Sequence, residues 1–146
     1  MEYAKGTIGR IFLVKFEHKD DILLSLKGFV RKERLKNAVL VFLGAFQRGR
    51  LVTGPKKAVV PPEPNWKSFK DGWEVMGVGT VFSGPEGPQI HMHAAMGKKN
   101  KTLTGCVRKN VGVFLVVEAV VFELKGIKAK KEIDPQTGLN LLKICM

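Results

Sequence analysis

The stretch Gln89-Ile90-His91-Met92-His93-Ala94-Ala95-Met96 decides how this chain is read. It holds two of the three histidines in the sequence. Apolar and small residues flank them, a composition that suits a strand, where side chains alternate between faces. His91 and His93 then share one face and Met92 takes the other. Gly97-Lys98-Lys99-Asn100 is polar, with a turn former at each end. Lys101-Thr102-Leu103-Thr104-Gly105-Cys106-Val107 alternates as a return strand. Pairing Met96 with Lys101 across that turn sets Cys106 opposite His91 and Thr104 opposite His93. Directly opposed residues share a face, with Cβ atoms about 4.5–5.5 Å apart. Two imidazoles and one thiol would converge as the three ligands of an open zinc site, with water in the remaining position. The register is what this reading rests on. A slip of one residue turns Cys106 to the other face. His-x-His is also short enough to occur by chance, and the competing reading makes the histidines half-buried sheet residues and Cys106 a small core hydrophobe.

The totals frame this site. The 146 residues suit one domain, spanning residues 1–146, and suffice for a core without staples. A hydrophobic content of 45% and a charged content of 26% are those of an ordinary globular protein. No run reaches the roughly 18 apolar residues of a membrane span. The opening Met1-Glu2-Tyr3-Ala4-Lys5-Gly6 lacks a signal-peptide core. Both observations lead to the expectation of a cytoplasmic protein with no membrane partner. Two cysteines make no disulfide framework, and Cys145, next to last, is read as inert. Lys and Arg number 25 against 13 Asp and Glu, a net charge of +12. That balance favours a polyanionic partner, such as nucleic acid bound without sequence preference. The competing reading is a lysine-rich solvated surface. The cations are dispersed along the sequence, which weakens the nucleic-acid case.

Before the histidines, Thr7 to Phe16 reads as a strand rich in β-branched and aromatic residues. Asp20 is the expected N-cap of a helix carrying Ile22, Leu23, Leu26, Phe29 and Val30 on one face. Arg31, Lys32, Arg34 and Lys36 suit its C-terminal end, with Asn37 at C′. His18 is expected in a solvated loop. Ala38 to Phe46 forms a second strand, parallel to the first through the crossover. Arg48-Gly49-Arg50 is the centre of an AT-hook, but Leu51-Val52 follow where that minor-groove reader needs Pro. Gly54 to Gly72, with four prolines, is expected to be an irregular loop pinned by Trp66 and Phe69. A β-meander runs from Trp73, with Ser83 to Pro88 as a turn. Val111 to Leu124 is a long apolar run with Glu118 in its middle, where a carboxylate must be paired, hydrogen-bonded or at an interface. Ile127 to Ile133 and Leu139 to Ile144 flank an Asp134-Pro135-Gln136-Thr137-Gly138 turn as a terminal hairpin.

These features together resemble the plants-and-prokaryotes conserved (PPC) domain, in its stand-alone prokaryotic form. The residues that carry the resemblance run nearly end to end. They are Asp20-Asp21-Ile22-Leu23 leading the helix, Ala38-Val39-Leu40-Val41-Phe42-Leu43-Gly44-Ala45, and Trp73-Glu74-Val75-Met76-Gly77-Val78-Gly79-Thr80. Most specific is Gly87-Pro88-Gln89-Ile90-His91-Met92-His93, similar to the family's Gly-Pro-x-x-His-x-His hairpin. Thr104-Gly105-Cys106-Val107 stands where many members carry Gly-Gly-His. Glu118 resembles the acidic residue of the family's late strand. The resemblance implies an α/β (α+β) fold, a mixed and largely antiparallel sheet with one main helix, assembled as a homotrimer. It also implies metal at His91, His93 and Cys106. Cysteine in place of a third histidine suits zinc and disfavours hard cations such as magnesium.

Three functions follow as expectations. One is a trimeric zinc-binding module, one zinc per chain, with a binding or assembly role. Another is association with DNA, which relatives are described as binding. The third is a zinc-dependent hydrolase or lyase, in which metal-bound water reacts and Glu74 or Glu118 is the candidate base. The neighbouring strand that starts at Trp73 is expected to place Thr80 opposite His91 and Val78 opposite His93, which leaves Glu74 well along the strand from the metal.

Overall fold

The computed structural model describes residues 1–145. Seven strands and one helix follow in the order β1 (Thr7–Glu17), α1 (Ile22–Lys32), β2 (Asn37–Pro55), β3 (Pro64–Gly84), β4 (Gly87–Lys98), β5 (Lys101–Lys125), β6 (Ala129–Ile133) and β7 (Asn140–Ile144). The sheet is mixed and largely antiparallel, as expected. Only the contact of β6 with β3, at Ser83 and Lys130, is parallel. β5 lies between β1 and β2 and is antiparallel to both. β1 and β2 therefore run parallel, as the crossover predicts, but with a strand between them. β4 pairs with β3 and with the first half of β5, and that half pairs in turn with the end of β2. Strands β2, β3, β4 and β5 thus close a ring, which buries Met92, Leu40, Val81, Val107 and Val117 inside.

The helix starts one residue later than the sequence reading places it. Asp21, not Asp20, is the N-cap, its carboxylate accepting from the Leu23 and Leu24 amides at 3.1 and 3.0 Å. Asp20 instead accepts from the Glu17 amide and closes the preceding turn. Ile22, Leu26 and Val30 are buried, and Phe29 meets Phe12 of β1 edge-on. The helix also stops earlier. Arg34 takes the left-handed conformation at φ 54°, the role assigned to Asn37. Asn37 opens β2, and its side-chain amide donates to the Ile127 carbonyl at 2.8 Å.

The irregular loop expected over Gly54 to Gly72 shrinks to the segment 56–63, because β3 already begins at Pro64. Pro55 and Pro64 face each other at the outer end of the β2–β3 ladder, where a missing amide costs least. Phe69 is buried against Phe46, whereas Trp66 stays on the surface under the Arg50 guanidinium. His18 lies in the exposed turn, as expected, and its Nδ1 accepts from the Leu115 amide. At Gly44 (φ +143°) a Cβ would stand 2.3 Å from the Val116 carbonyl oxygen, so β2 and β5 approach there only because the residue is glycine. The terminal hairpin forms as read. No helix among the described residues is long and apolar enough to cross a membrane.

The Arg10 side chain binds Glu123 through Nε at 2.9 Å and Nη2 at 3.1 Å, and the Arg10 amide adds a third bond. This holds the Glu123 carboxyl down at about 2. A carboxyl depressed below its unfolded value of about 4.5 stabilises the fold above that pH. The contribution fades as pH falls from there toward 2. The pair sits at the surface, so the effect is modest. Glu123→Gln is expected to lower the urea midpoint of metal-stripped protein at neutral pH. The gap from wild type should narrow steadily below pH about 4.5. A gap that stays constant through the acid range would contradict this role.

Candidate metal centre

β4 and β5 are joined by a tight two-residue turn at Lys99-Asn100, with Lys99 left-handed at φ 54°. Lys98 therefore pairs with Lys101, and the register differs by two residues from the one the sequence suggests. Cys106 lies opposite His93, not His91, and Thr104 lies opposite Ala95. A shift of two keeps every side chain on its face, because strand alternation has period two. The cluster therefore survives the correction. On the other flank of β4, Thr80 faces His91 and Val78 faces His93, as read from the sequence.

The donors are close together. His91 and His93 bring their Nε2 atoms to 3.1 Å, their rings nearly perpendicular at 81°. The ligand atoms of His91, His93 and Cys106 all lie within 4.8 Å of one another. A tetrahedral zinc with bonds of about 2.0–2.3 Å spaces its donors about 3.3–3.6 Å apart. The imidazole pair already has nearly that spacing, and small side-chain rotations bring the thiol into it. Two borderline nitrogens and one soft sulfur are a donor set that suits zinc and not magnesium or calcium.

The protonation state of His91 suits a metal ligand, although the nearby charges are themselves positive. Much of His91 meets solvent, yet burial of its ring pushes its pKa below the ordinary value, helped by His93, Lys131 and Arg108. The ring is thus held neutral, the form with a free lone pair. Cys106 is buried, and burial pushes its thiol pKa up, with Arg108 opposing. A bound cation reverses that burial effect and favours the thiolate.

Cross-strand rows tie the cluster to the rest of the outer face. One row reads Leu13, Val120, Val41, Val78, His93, Cys106 across β1, β5, β2, β3, β4 and back to β5. The next row reads Lys15, Glu118, Leu43, Met76, Ala95, Thr104. Glu118 therefore points out of the apolar run, directly across from Lys15. It borders the same concavity of about 610 Å³ as His93. Within its row it stands three strands from Ala95, about 14 Å by strand spacing. Glu74 faces Gly97, four residues along β3 from the partner of His93. The structure brings together the three metal candidates; Glu74 lies four residues along β3 from the residue facing His93, and Glu118 shares the concavity with His93 from three strands away in its row. What the sequence reading did not find is the pair of cations, Arg108 and Lys131, whose charge reaches His91. Arg108 was within reach, two residues from Cys106; Lys131 was not, because the terminal hairpin carries it there.

The fold and the cluster define a class: an α+β domain, one helix on a mixed sheet, with His, His and Cys donors gathered on one strand pair. The chain belongs to the Plants and Prokaryotes Conserved (PCC) domain family, whose profile matches residues 3–125. Among solved structures, it resembles a plant- and prokaryote-conserved (PPC) protein from Pyrococcus horikoshii (22% identity, 100% of this chain and 99% of that one, TM-score 0.85). It also resembles a metal-containing protein from Archaeoglobus fulgidus (21%, 97% and 98%, 0.84). A third is a "Putative DNA-binding protein" from Ralstonia eutropha JMP134 (18%, 91% and 90%, 0.73). At these identities the likeness is one of fold. No curated protein matches the chain.

Proposed function

We propose that this protein is a zinc-binding module, one zinc per chain at His91, His93 and Cys106, assembled as a homotrimer with a binding role. The observation that carries the metal is the meeting of two imidazoles and a thiol from two strands within 4.8 Å. Zinc, when bound, would cross-link β4 to β5 and leave one coordination position open. His91 and His93 would hold it through Nε2 and Cys106 through Sγ. Supporting the reading, a protein of the same fold is named as metal-containing. Elemental analysis of protein purified without chelator or added metal tests it. Close to one zinc per chain is expected, and protein free of transition metal would end the proposal.

Support for the trimer comes from the outer face. Leu13, Met76 and Leu43 are 81%, 66% and 58% exposed, beside Ile11, Val41 and Val78. A lone soluble domain rarely leaves so continuous an apolar face to water. Further copies of the chain would cover it and enclose the Lys15–Glu118 pair.

Nucleic-acid association is a second reading, favoured by one specific feature. Arg48 faces Lys70, Arg50 faces Lys109, and Lys98 faces Lys101 across the ladders. Like charges directly opposed destabilise a sheet, so a polyanion on this end would relieve the repulsion. Binding to single- or double-stranded DNA is expected to be sequence-independent and to weaken steeply with salt. Double replacement of Arg48 and Arg50 by glutamine should flatten that slope by about two charges. An unchanged slope in the variant, or no mobility shift at physiological salt, would remove this reading.

A further inference from the structure

Two cations border the histidine–cysteine cluster, and among the described residues neither is in a salt bridge. Arg108 lies two residues past Cys106 on β5. The β4–β5 ladder stops at His93 and Cys106, and two more residues in the same register would set Arg108 against His91. β5 bulges there instead: Val107 pairs with Leu51 and Lys109 with Arg50, which leaves Arg108 out of both ladders. A bulge of this kind re-aims a side chain, here at the rim of the cluster.

Lys131 arrives from the other side, on the β6–β7 hairpin. Lys130 and Lys143 share Glu132 on one face of that hairpin. Strand alternation sends Lys131 to the opposite face. It is half-buried there, with no carboxylate at ion-pair distance among the described residues. Burial pushes its pKa below the ordinary lysine value, the mark of a cation short of compensation.

The charges on the site then add up in one direction. A divalent metal with two neutral imidazoles and one thiolate keeps a single positive charge, and Arg108 and Lys131 add two more. Water in the open position relieves none of this. A phosphate monoester carries close to two negative charges, whereas a phosphodiester carries one. A guanidinium fork suits phosphate oxygens, and an ammonium serves as a point charge beside it.

We propose that the open position at His91, His93 and Cys106 receives a phosphomonoester, held on the protein side by Arg108 and Lys131. The assignment rests on the metal reading of the site and adds to it the class of ligand. It separates this site from the DNA reading as well, because a nucleic-acid backbone offers diesters.

The test uses full-length protein loaded with cobalt in place of zinc, followed by its visible absorption. Inorganic phosphate is titrated in, and dimethyl phosphate serves as the diester comparison. Phosphate is expected to perturb the cobalt bands saturably, at a concentration about tenfold or more below dimethyl phosphate. Arg108→Gln and Lys131→Gln should each weaken the phosphate response by about tenfold while still binding one cobalt per chain. Cobalt bands that ignore phosphate, or respond equally in wild type and both variants, overturn the proposal. So does a preference for the diester. Protein that takes up no cobalt fails earlier, at loading, and overturns the metal reading together with this inference.

Discussion

At the proposed zinc site, replacing His93 with alanine is expected to abolish zinc binding and any stabilisation it gives. The residue sits at the centre of the cluster, opposite Cys106 on one side and Val78 on the other, with its Nε2 3.1 Å from that of His91. Structural zinc sites contribute on the order of 10–16 kcal/mol of apparent binding free energy through four ligands. One ligand of three therefore accounts for about 3 kcal/mol or more, a loss above a hundredfold in affinity. His91→Ala and Cys106→Ser should behave alike. Because zinc binds the folded state, chelator should lower the melting temperature of wild type and leave the His93 variant unmoved. The alanine variant should still fold, since His93 faces outward and the core beneath it is built by Met92, Ala94 and Met96. Equal zinc content in wild type and His93→Ala would show that the imidazoles are no more than a hydrogen-bonded pair on a sheet surface.

Leu43→Asp is expected to convert the assembly into monomers. Leu43 stands in the middle of the outer face, between Glu118 on β5 and Met76 on β3. Burying a leucine contributes about 1.5–3 kcal/mol. Burying an unpaired carboxylate in its place costs several more. Each interface in a closed ring would lose this amount, and the new charge also lies next to Glu118. Sedimentation should show a single species of one-chain mass, whereas wild type, as the proposed trimer, is expected at three times that. Lys128→Asp, at an exposed position outside the cross-strand rows that form this face, is the control and should leave the proposed trimer intact. Wild type that sediments as one chain at micromolar concentration would leave the apolar face without its proposed cover.

A good part of this protein is legible in the sequence. Alternation around His91 and His93 fixes which side chains share a face, because a strand repeats every two residues whatever its neighbours do. Ile22, Leu26 and Val30 mark the helix in the same way, through their spacing. The Gly-Pro-x-x-His-x-His hairpin identifies the family before any coordinate is known. Period, turn chemistry and motif are local properties, carried by bonds a few residues long.

The tertiary structure decides what depends on distant chain segments. It chooses a two-residue turn at Lys99-Asn100 and so pairs Cys106 with His93, a choice that the longer stretch Gly97 to Asn100 leaves open to local reading. It inserts β5 between β1 and β2, and β5 pairs with β1, β2 and β4 along its length. That insertion turns Glu118 outward against Lys15, where the sequence shows only a carboxylate in an apolar run. It carries Lys131 from near the end of the described chain to the neighbourhood of His91, far upstream in sequence. The sequence by itself determined the face on which each donor lies. Only folding decided the charges that surround the donors, because electrostatic neighbours are set by distance in space and not by separation along the chain.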